Sequence, residues 1–566
     1  MKKIRFTLFP AFFILWASAL VSCKGKSPAP SKETIDQINL KRGEVISCGA
    51  PDKFGTVEFN MSCTEKVKKD FNLAMELLHS FEYDESEKVF AKIVDEAPEC
   101  SMAWWGIAMS NFHPLWAPPT ASELQKGARA TEIAKSIPKK TERESAYINA
   151  IGEFYQDRDK KDHITRCINF EKAMEKLHTG YPDDKEAALF YALALDASAM
   201  PTDKTYSNQK KAGAILNTLY PAGANHPGIF HYIIHTYDYP GLAVLALPAA
   251  RKYASVAPSS AHALHMPSHI FTRLGLWDEC IVSNRVSVAA AKCYAESAGM
   301  KGHWDEELHG LDYLVYAYLQ KGQNDSAKKQ LDYLNTIREV YPTNFKVAYA
   351  FAAIPSRILL ENKNWKEAAH LQIQRENLSW KNFPWQEAMI HFTRAMGLVH
   401  LGIMDTATSE LANLHQLRDT LNKQKDAYKA GQVMVQIKTC EAWIQYKTGR
   451  PGEALKLMKL AADMEDSSGK HPVTPGEVLP ARELLGDMLL AANRPGEAFE
   501  AYEEVLKKSP NRFNGLYGAG LSAERSGNTA KAILYYRQLL AIAGGANNYR
   551  PELHSAKLFL IKHNQS

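Results

Sequence analysis

Two pairs of histidines, each spaced four residues apart, are the features of the sequence most suited to chemistry. His231 and His235 lie in HPGIFHYIIHTYD, and His265 and His269 lie in SAHALHMPSHIF. Residues four apart share one face of a helix, so both imidazoles of a pair can point at one cation. Neutral imidazole suits Zn, Fe, Cu or Ni, and aspartates nearby can complete the coordination. The two pairs therefore predict a divalent transition-metal site.

The second pair follows the first after 34 residues, and the same step recurs near the C-terminus. Gly486 and Gly520 are 34 residues apart, as are Tyr502 and Tyr536, and Pro510 closes the first of these two units. This pattern resembles the tetratricopeptide repeat (TPR), a pair of antiparallel helices that buries its apolar faces against neighbouring pairs. The resemblance implies an all-α, right-handed solenoid of helical hairpins, with about ten pairs and some insertions.

The TPR resemblance also implies which residues face the concave groove, because five positions in the first helix of each unit line it. When the small residue of each first helix is aligned, the groove residues are Glu186, Asp196, His231, His235, Asp238, His262, His265, His269, His309 and Asp312, with His226 in a linker beside the groove. We expect these side chains to form one ligand-binding surface. We assign His231, His235, His265 and His269 as metal ligands and assign no catalytic residue. A polar or peptide ligand and a purely structural role are the alternatives.

The N-terminus predicts export and anchoring. A basic start is followed by an apolar run from Phe6 to about Leu20 and then by LVSC, which ends at Cys23. This resembles a bacterial lipoprotein signal, which implies that residues 1–22 are removed and that Cys23 is lipidated. An uncleaved membrane helix is the alternative, but the run is short and contains Pro10. We expect a protein of the bacterial cell envelope, lipid-anchored to a membrane and facing the periplasm or the cell exterior.

The remaining chain divides into three predicted regions. Residues 23–45 form a flexible tether rich in Lys, Ser and Pro, residues 46–340 form a TPR-like solenoid with the histidine-rich groove, and residues 341–566 form a C-terminal TPR solenoid. Pro267 predicts a late helix start or a kink within HMPSH.

The cysteines suit an exported protein. Cys48 and Cys63 can close a short disulfide loop, although the sequence does not decide connectivity. Cys280 is predicted to be a core residue. The sequence contains no CxxC motif, so thiol redox chemistry has little support.

Composition and missing motifs exclude several classes of function. The 566 residues carry a net charge of only +5, with no basic stripe, so nucleic acid is not an expected partner. HYIIH and HMPSH lack the glutamate that zincin proteases use as a general base. The sequence has no GxSxG elbow, P-loop or dinucleotide fingerprint.

Four segments, which include NHPGIFHYIIHTYDYP and SAHALHMPSHIF, resemble a group of exported bacterial TPR proteins and imply fold and location. The leading prediction is a membrane-anchored TPR scaffold that binds a protein, peptide or small ligand in the histidine-rich groove, with a bound transition metal. The alternative is a metal-dependent enzyme, a hydrolase or oxidoreductase, that uses the same His and Asp residues. A glycan- or nutrient-binding lipoprotein, similar to starch-utilisation TPR lipoproteins, is a third interpretation.

Overall fold

The computed structural model describes residues 1–2, 29–49, 53–115, 118–373, 377–544 and 550–563. Most of the predicted signal peptide, and the predicted lipidation site Cys23, lie outside the described residues. The described part of the chain is built almost wholly of α-helices, with one pair of very short strands. Among these helices, none combines the length and the apolar character that crossing a bilayer requires.

The helices of the N-terminal half carry the six predicted groove histidines, which are His231, His235, His262, His265, His269 and His309. They are α1 (Lys32–Asp36), α2 (Lys68–His79), α3 (Tyr83–Glu96), α4 (Ser101–Ser110), α5 (Ala121–Ser136), α6 (Glu142–Tyr155), α7 (His163–Gly180), α8 (Lys185–Ser198), α9 (Ser207–Leu219), α10 (Pro227–Tyr237), α11 (Ala243–Val256), α12 (Ala261–His265), α13 (Pro267–Leu274), α14 (Trp277–Ser297), α15 (Asp305–Gln320) and α16 (Asn324–Thr336).

The C-terminal half continues with further helices of similar length. They are α17 (Phe345–Glu361), α18 (Trp365–Ala369), α19 (Pro384–Leu401), α20 (Met404–Lys423), α21 (Ala427–Lys447), α22 (Pro451–Ser468), α23 (Ala481–Ala491), α24 (Pro495–Lys508), α25 (Phe513–Arg525), α26 (Thr529–Ile542) and α27 (Pro551–His563). Strands β1 (His303–Trp304) and β2 (Val340–Tyr341) pair in parallel. Short 3₁₀ turns occur at Glu65–Val67, Tyr220–Ala222 and Trp380–Asn382.

Successive helices pack as hairpins, from α2 with α3 to α25 with α26. The first helix of a hairpin also contacts the first helix of the next, as α19 contacts α21 and α21 contacts α23. The all-α solenoid of helical hairpins predicted from the sequence is confirmed. The predicted break at Pro267 is also confirmed, because α12 ends at His265 and α13 begins at Pro267.

Small residues and tyrosines explain the repeated step near the C-terminus. A Cβ atom on Gly486 would lie 2.7 Å from the ring of Tyr502, and one on Gly520 would lie 2.6 Å from the ring of Tyr536. Each glycine in a first helix therefore makes room for the tyrosine of its own second helix. The 34-residue period is a packing requirement of the hairpin.

The solenoid winds tightly enough for helices far apart in the chain to touch. Helix α2 packs against α10, and α15 packs against α25. His79 of α2 is hydrogen-bonded to the Tyr232 hydroxyl of α10 at 2.8 Å, and Arg512 donates to the Tyr316 hydroxyl of α15 at 3.0 Å. Because the turns of the superhelix meet, its concave side is enclosed rather than open.

Two disulfides fix the N-terminal segment to the helices. Cys48 is bonded to Cys293 of α14, and Cys63 is bonded to Cys100 beside α4, so the Cys48 to Cys63 loop considered from the sequence is wrong. The segment runs across the solenoid and brings the two cysteines against different helices. Cys280 is free and fully buried, as predicted.

Candidate metal centre

Six histidines from four helices converge inside the solenoid, and we call this region the histidine chamber. Helix α10 supplies His231 and His235, α12 and α13 supply His262, His265 and His269, and α15 supplies His309. Five of the six side chains are nearly inaccessible, with exposures of 0% for His231, 1% for His265, 4% for His269, 7% for His309 and 9% for His262. The sequence led us to expect an open groove; the closure of the superhelix buries these side chains instead.

The chamber contains two sets of three histidines. The His269 group consists of His265, His269 and His309, and the His231 group consists of His231, His235 and His262. Within each group, one ring nitrogen from every histidine lies within 4.8 Å of the others. The groups adjoin each other, since the ring centroids of His235 and His269 are 6.3 Å apart.

Hydrogen bonds fix the tautomers of two histidines in the His269 group. The Asn284 amide nitrogen donates to the Cys280 carbonyl at 2.8 Å, so its Oδ1 faces His265 and accepts from Nδ1 at 2.7 Å. His269 Nδ1 donates to Asp238 Oδ2 at 3.1 Å. Burial lowers the pKa of both histidines, so each is neutral near pH 7. Their Nε2 atoms therefore both carry lone pairs.

These two lone-pair nitrogens, Nε2 of His265 and Nε2 of His269, are only 3.1 Å apart. Neither has a proton to donate to the other, so the contact is repulsive unless a cation lies between them. Tyr313 completes the wall of this group, with its hydroxyl 3.4 Å from His269 Nδ1. Each of the two rings is thus held by a second hydrogen-bond partner, a feature that histidine metal sites share.

The His231 group is oriented in a similar way. His231 Nδ1 donates to the backbone carbonyl of His79 at 2.6 Å, and its Nε2 faces His235 Nε2 at 3.0 Å. The ring of Phe81 covers the group, 4.3 Å from the ring of His231. Phe81 has a φ of 58°, a left-handed conformation that is uncommon for an aromatic residue and that directs its ring at the histidines.

Asp238 links the chamber to distant parts of the chain. Its Oδ2 accepts from His269 and from Lys470 Nζ at 3.3 Å, and its Oδ1 accepts from Arg273 Nε at 2.8 Å. Burial alone would raise the pKa of Asp238, but the charges of Lys470 and Arg273 hold it well below its usual range. Asp238 is thus an anion that orients His269 and is itself neutralised by two cations.

A third cluster lies next to the chamber. Glu186 accepts from His79 Nε2 and from His226 Nε2, both at 2.8 Å. Burial would raise the pKa of Glu186, but the two histidines hold it well below its usual range. These contacts satisfy Glu186 without an ion, whereas the buried Nδ1 of His226 has no hydrogen-bond partner among the described residues. The clear role of the cluster is to place His79, whose backbone carbonyl orients His231.

A comparison with known protein families finds a match in the C-terminal part of the chain. Residues 481–547 match the family described as tetratricopeptide repeat. The matched segment contains the hairpins α23 with α24 and α25 with α26. No curated protein sequence matches the chain.

Several solved structures are similar to this chain at low sequence identity. The crystal structure of the P58(IPK) TPR domain is 16% identical, with 68% of this chain and 100% of that chain covered and a TM-score of 0.20. A structure of Naa15/Naa10 bound to HypK-THB is 12% identical, with 88% and 92% covered and a TM-score of 0.23. A human IFIT1 dimer with m7Gppp-AAAA is 12% identical, with 84% and 89% covered and a TM-score of 0.33. We infer function from this chain's own side chains.

Two aspartates from the TPR groove positions lie outside the chamber. Asp312 lies one turn after His309 on α15 and forms an ion pair with the fully buried Arg357 of α17. Asp196 accepts from the Thr236 hydroxyl at 2.6 Å. Neither carboxylate contacts a chamber histidine, so Asp238 is the one predicted aspartate that does.

Sequence reasoning missed several residues that shape the site. His79 could have been found, because it falls five residues after Ala74 and so at a groove position of its TPR unit. Asn284 and Tyr313 carry no distinguishing signal. Lys470 lies more than 200 residues beyond its partner Asp238, in a segment between α22 and α23 that enters the superhelix.

Glu82, beside the chamber, should make stability depend on pH. It is 8% exposed, accepts from the Ser260 hydroxyl at 2.6 Å, and burial raises its pKa to about 8. An unfolded glutamate titrates near pH 4.3, so the folded state binds the proton more tightly and stability should fall as pH rises from about 4 to about 8. Between pH 5 and pH 9 the free energy of unfolding should fall in both proteins. We expect the fall to be smaller in Glu82→Gln than in the wild type by on the order of 1–3 kcal/mol. Urea denaturation of the two chelator-treated proteins measures the difference, and an equal fall in unfolding free energy would contradict this prediction.

Proposed function

We propose that this chain is a membrane-anchored TPR scaffold that holds a divalent transition-metal ion in its histidine chamber and binds a protein partner or small ligand. The observation that carries the metal proposal is the 3.1 Å contact between the Nε2 atoms of His265 and His269, both neutral and both without a proton at that position. An ion between them converts a repulsive contact into two coordination bonds.

The distances and donor types fit such an ion. Two nitrogens that bind one ion at about 2.0–2.1 Å lie about 2.9–3.4 Å apart, according to the angle at the metal. The observed 3.1 Å falls within this range, and His309 offers a third nitrogen. Neutral imidazoles favour Zn, Fe, Cu or Ni over Mg or Ca, which prefer oxygen. Asn284 and Asp238 hold the first two rings in the required orientation.

The surroundings favour a holding role over hydrolysis. A metal hydrolase usually places a free carboxylate where it can act as a general base. Of the described carboxylates next to the chamber, Asp238 is engaged by Arg273 and Lys470, and Glu306 is engaged by Lys346. Both of these anions are therefore already neutralised by cations. Glu186 accepts from two histidines, and Glu82 has its pKa raised to about 8 by burial and is protonated near pH 7. A metal-dependent enzyme remains the second candidate, supported by the Tyr313 hydroxyl beside His269.

X-ray absorption spectroscopy of the zinc-loaded protein tests the proposed ligands. We expect a first shell of nitrogen and oxygen only, with the outer-shell scattering that imidazole rings produce. His265→Ala should reduce that imidazole signal, whereas His303→Ala should leave it unchanged, since His303 bonds to Glu307 outside the chamber. A first shell containing sulfur, or an imidazole signal that His265→Ala does not alter, would contradict the assignment.

The C-terminal repeats support the partner-binding part of the proposal. The first helices α19, α21, α23 and α25 line a pocket of about 320 Å³. Its wall contains aromatic side chains, among them Trp365, Trp443 and Tyr517, together with charged side chains such as Lys363 and Asp487. Pockets of this size with aromatic walls and a few polar groups are typical binding sites. The chamber and this pocket lie in different halves of the solenoid.

Export and anchoring are supported by two independent features. The N-terminal segment resembles a lipoprotein signal, and the chain carries two disulfides, which persist mainly in oxidising compartments. Both features suit a protein of the bacterial cell envelope that faces the periplasm or the exterior.

Replacing Cys23 tests the anchor. Cys23→Ser removes the sulfur that would be acylated, so we expect the protein to leave the membrane fraction and to lose incorporation of a labelled fatty acid. Membrane fractionation and metabolic labelling measure both effects, with Ser22→Ala as the neighbouring control. Unchanged membrane association of Cys23→Ser without any label would instead favour an uncleaved helix.

A further inference from the structure

We propose that the His231 group is a second, separate transition-metal site, so that the histidine chamber holds two ions rather than one. This inference rests on the proposed function, in which the His269 group binds the first ion. The second site would take the same class of ion, because its three donors are also imidazoles.

One donor atom of the His231 group is already fixed as a lone pair, and a second nitrogen faces it. His231 Nδ1 donates to a backbone carbonyl, which can only accept, so His231 Nε2 presents a lone pair. His235 Nε2 faces that lone pair at 3.0 Å, a separation that also fits two ligands on one ion. Two of the three nitrogens therefore stand at a ligand-to-ligand distance.

His262 provides an independent observation. Its Nε2 is buried and has no hydrogen-bond partner among the described residues, although the side chain is only 9% exposed. An unpaired buried ring nitrogen costs free energy, and such atoms are rare in folded proteins. Its ring centroid lies 5.1 Å from that of His231, within the group that offers three nitrogens. Coordination of an ion would satisfy this nitrogen.

The two groups are arranged as separate sites. Each group keeps its own nitrogens within 4.8 Å of one another, and no histidine belongs to both. Different elements orient them, since His79 holds His231 while Asn284 and Asp238 hold the His269 group. The rings of His235 and His269, one from each group, lie 6.3 Å apart, so two ions would be neighbours in one enclosed space.

Stoichiometry decides the inference. Chelator-treated full-length protein in detergent, without an affinity tag of histidines, is titrated with zinc ions in a calorimeter. We expect two ions per chain in the wild type. His262→Gln and His309→Gln should each weaken one of the two binding events at least tenfold, and the remaining event should show that the variant is folded. With cobalt ions as an optical probe, the two variants should lose different parts of the wild-type spectrum.

Three other results would each overturn the second metal site. One ion per chain, lost in His309→Gln and unchanged in His262→Gln, would overturn the second site and leave the first standing. One ion that both variants lose would show a single site built from the whole chamber. No binding at all would overturn the proposed function together with this inference.

Discussion

Adding zinc ions to the chelator-treated wild-type protein should raise its unfolding free energy by about 4 kcal/mol for each ion bound, once free zinc is roughly 1,000 times the dissociation constant. The gain arises because the ligands are assembled only in the folded chain. A double variant, His231→Ala with His265→Ala, removes one ligand from each histidine group and should show almost none of this gain. Denaturation in urea, with and without zinc, measures the difference.

The comparison must use the zinc-dependent difference and not absolute stability. His231 and His265 are buried and hydrogen-bonded, so their removal also leaves cavities and unpaired partners in the metal-free protein. His303→Ala is a suitable control, because His303 lies outside both groups and should keep the full gain. A double variant that zinc stabilises as much as the wild type would place the ion elsewhere.

Loss of the disulfide between Cys48 and Cys293 should destabilise the protein by about 2–5 kcal/mol. The bond joins residues 245 positions apart, so its removal frees a very long loop in the unfolded chain. It also releases the N-terminal segment from α14 and from Ser259, whose carbonyl accepts from the Cys48 amide just before α12. We therefore expect Cys48→Ala with Cys293→Ala to lower both stability and zinc affinity.

The second disulfide provides a matched comparison. Cys63 and Cys100 are 37 positions apart, and loop-closure entropy alone makes this bond worth about 1.5–2 kcal/mol less than the longer one. Urea midpoints of the two double variants, each under oxidising conditions, test the order. Equal destabilisation, or a larger effect from the shorter loop, would show that native contacts and not chain entropy set these contributions.

The sequence predicted the hairpin fold because the fold depends on local packing. Gly486 and Gly520 must be small to admit Tyr502 and Tyr536, and that requirement repeats with the hairpin. The same 34-residue alignment assigned six histidines to groove positions in the first helices of neighbouring hairpins. The structure places those six histidines in two adjoining groups of three. Spacing along a helix carries this information, since residues three and four apart share a face.

The rest of the site depends on contacts between distant turns of the solenoid. The packing of α2 on α10 brings the His79 carbonyl and the Phe81 ring against His231, and no local pattern encodes that contact. Lys470 reaches Asp238 from a segment between α22 and α23, and Cys48 pairs with Cys293 across most of the N-terminal half. Asp312 lies on the same helix as His309 but forms an ion pair with Arg357, because α17 places that buried cation beside it.

Elemental analysis of the purified chain without residues 1–23, produced under oxidising conditions and without a histidine tag, tests the central claim most directly. Removal of that segment takes away the predicted signal and acylation site and leaves the histidine chamber intact. We expect at least near-stoichiometric Zn, Fe, Cu or Ni in the wild type, and a sharp fall in the variant His231→Ala with His265→Ala. Folded wild-type protein that contains no transition metal, and that takes up none on titration with these four ions, would contradict the metal-holding chamber.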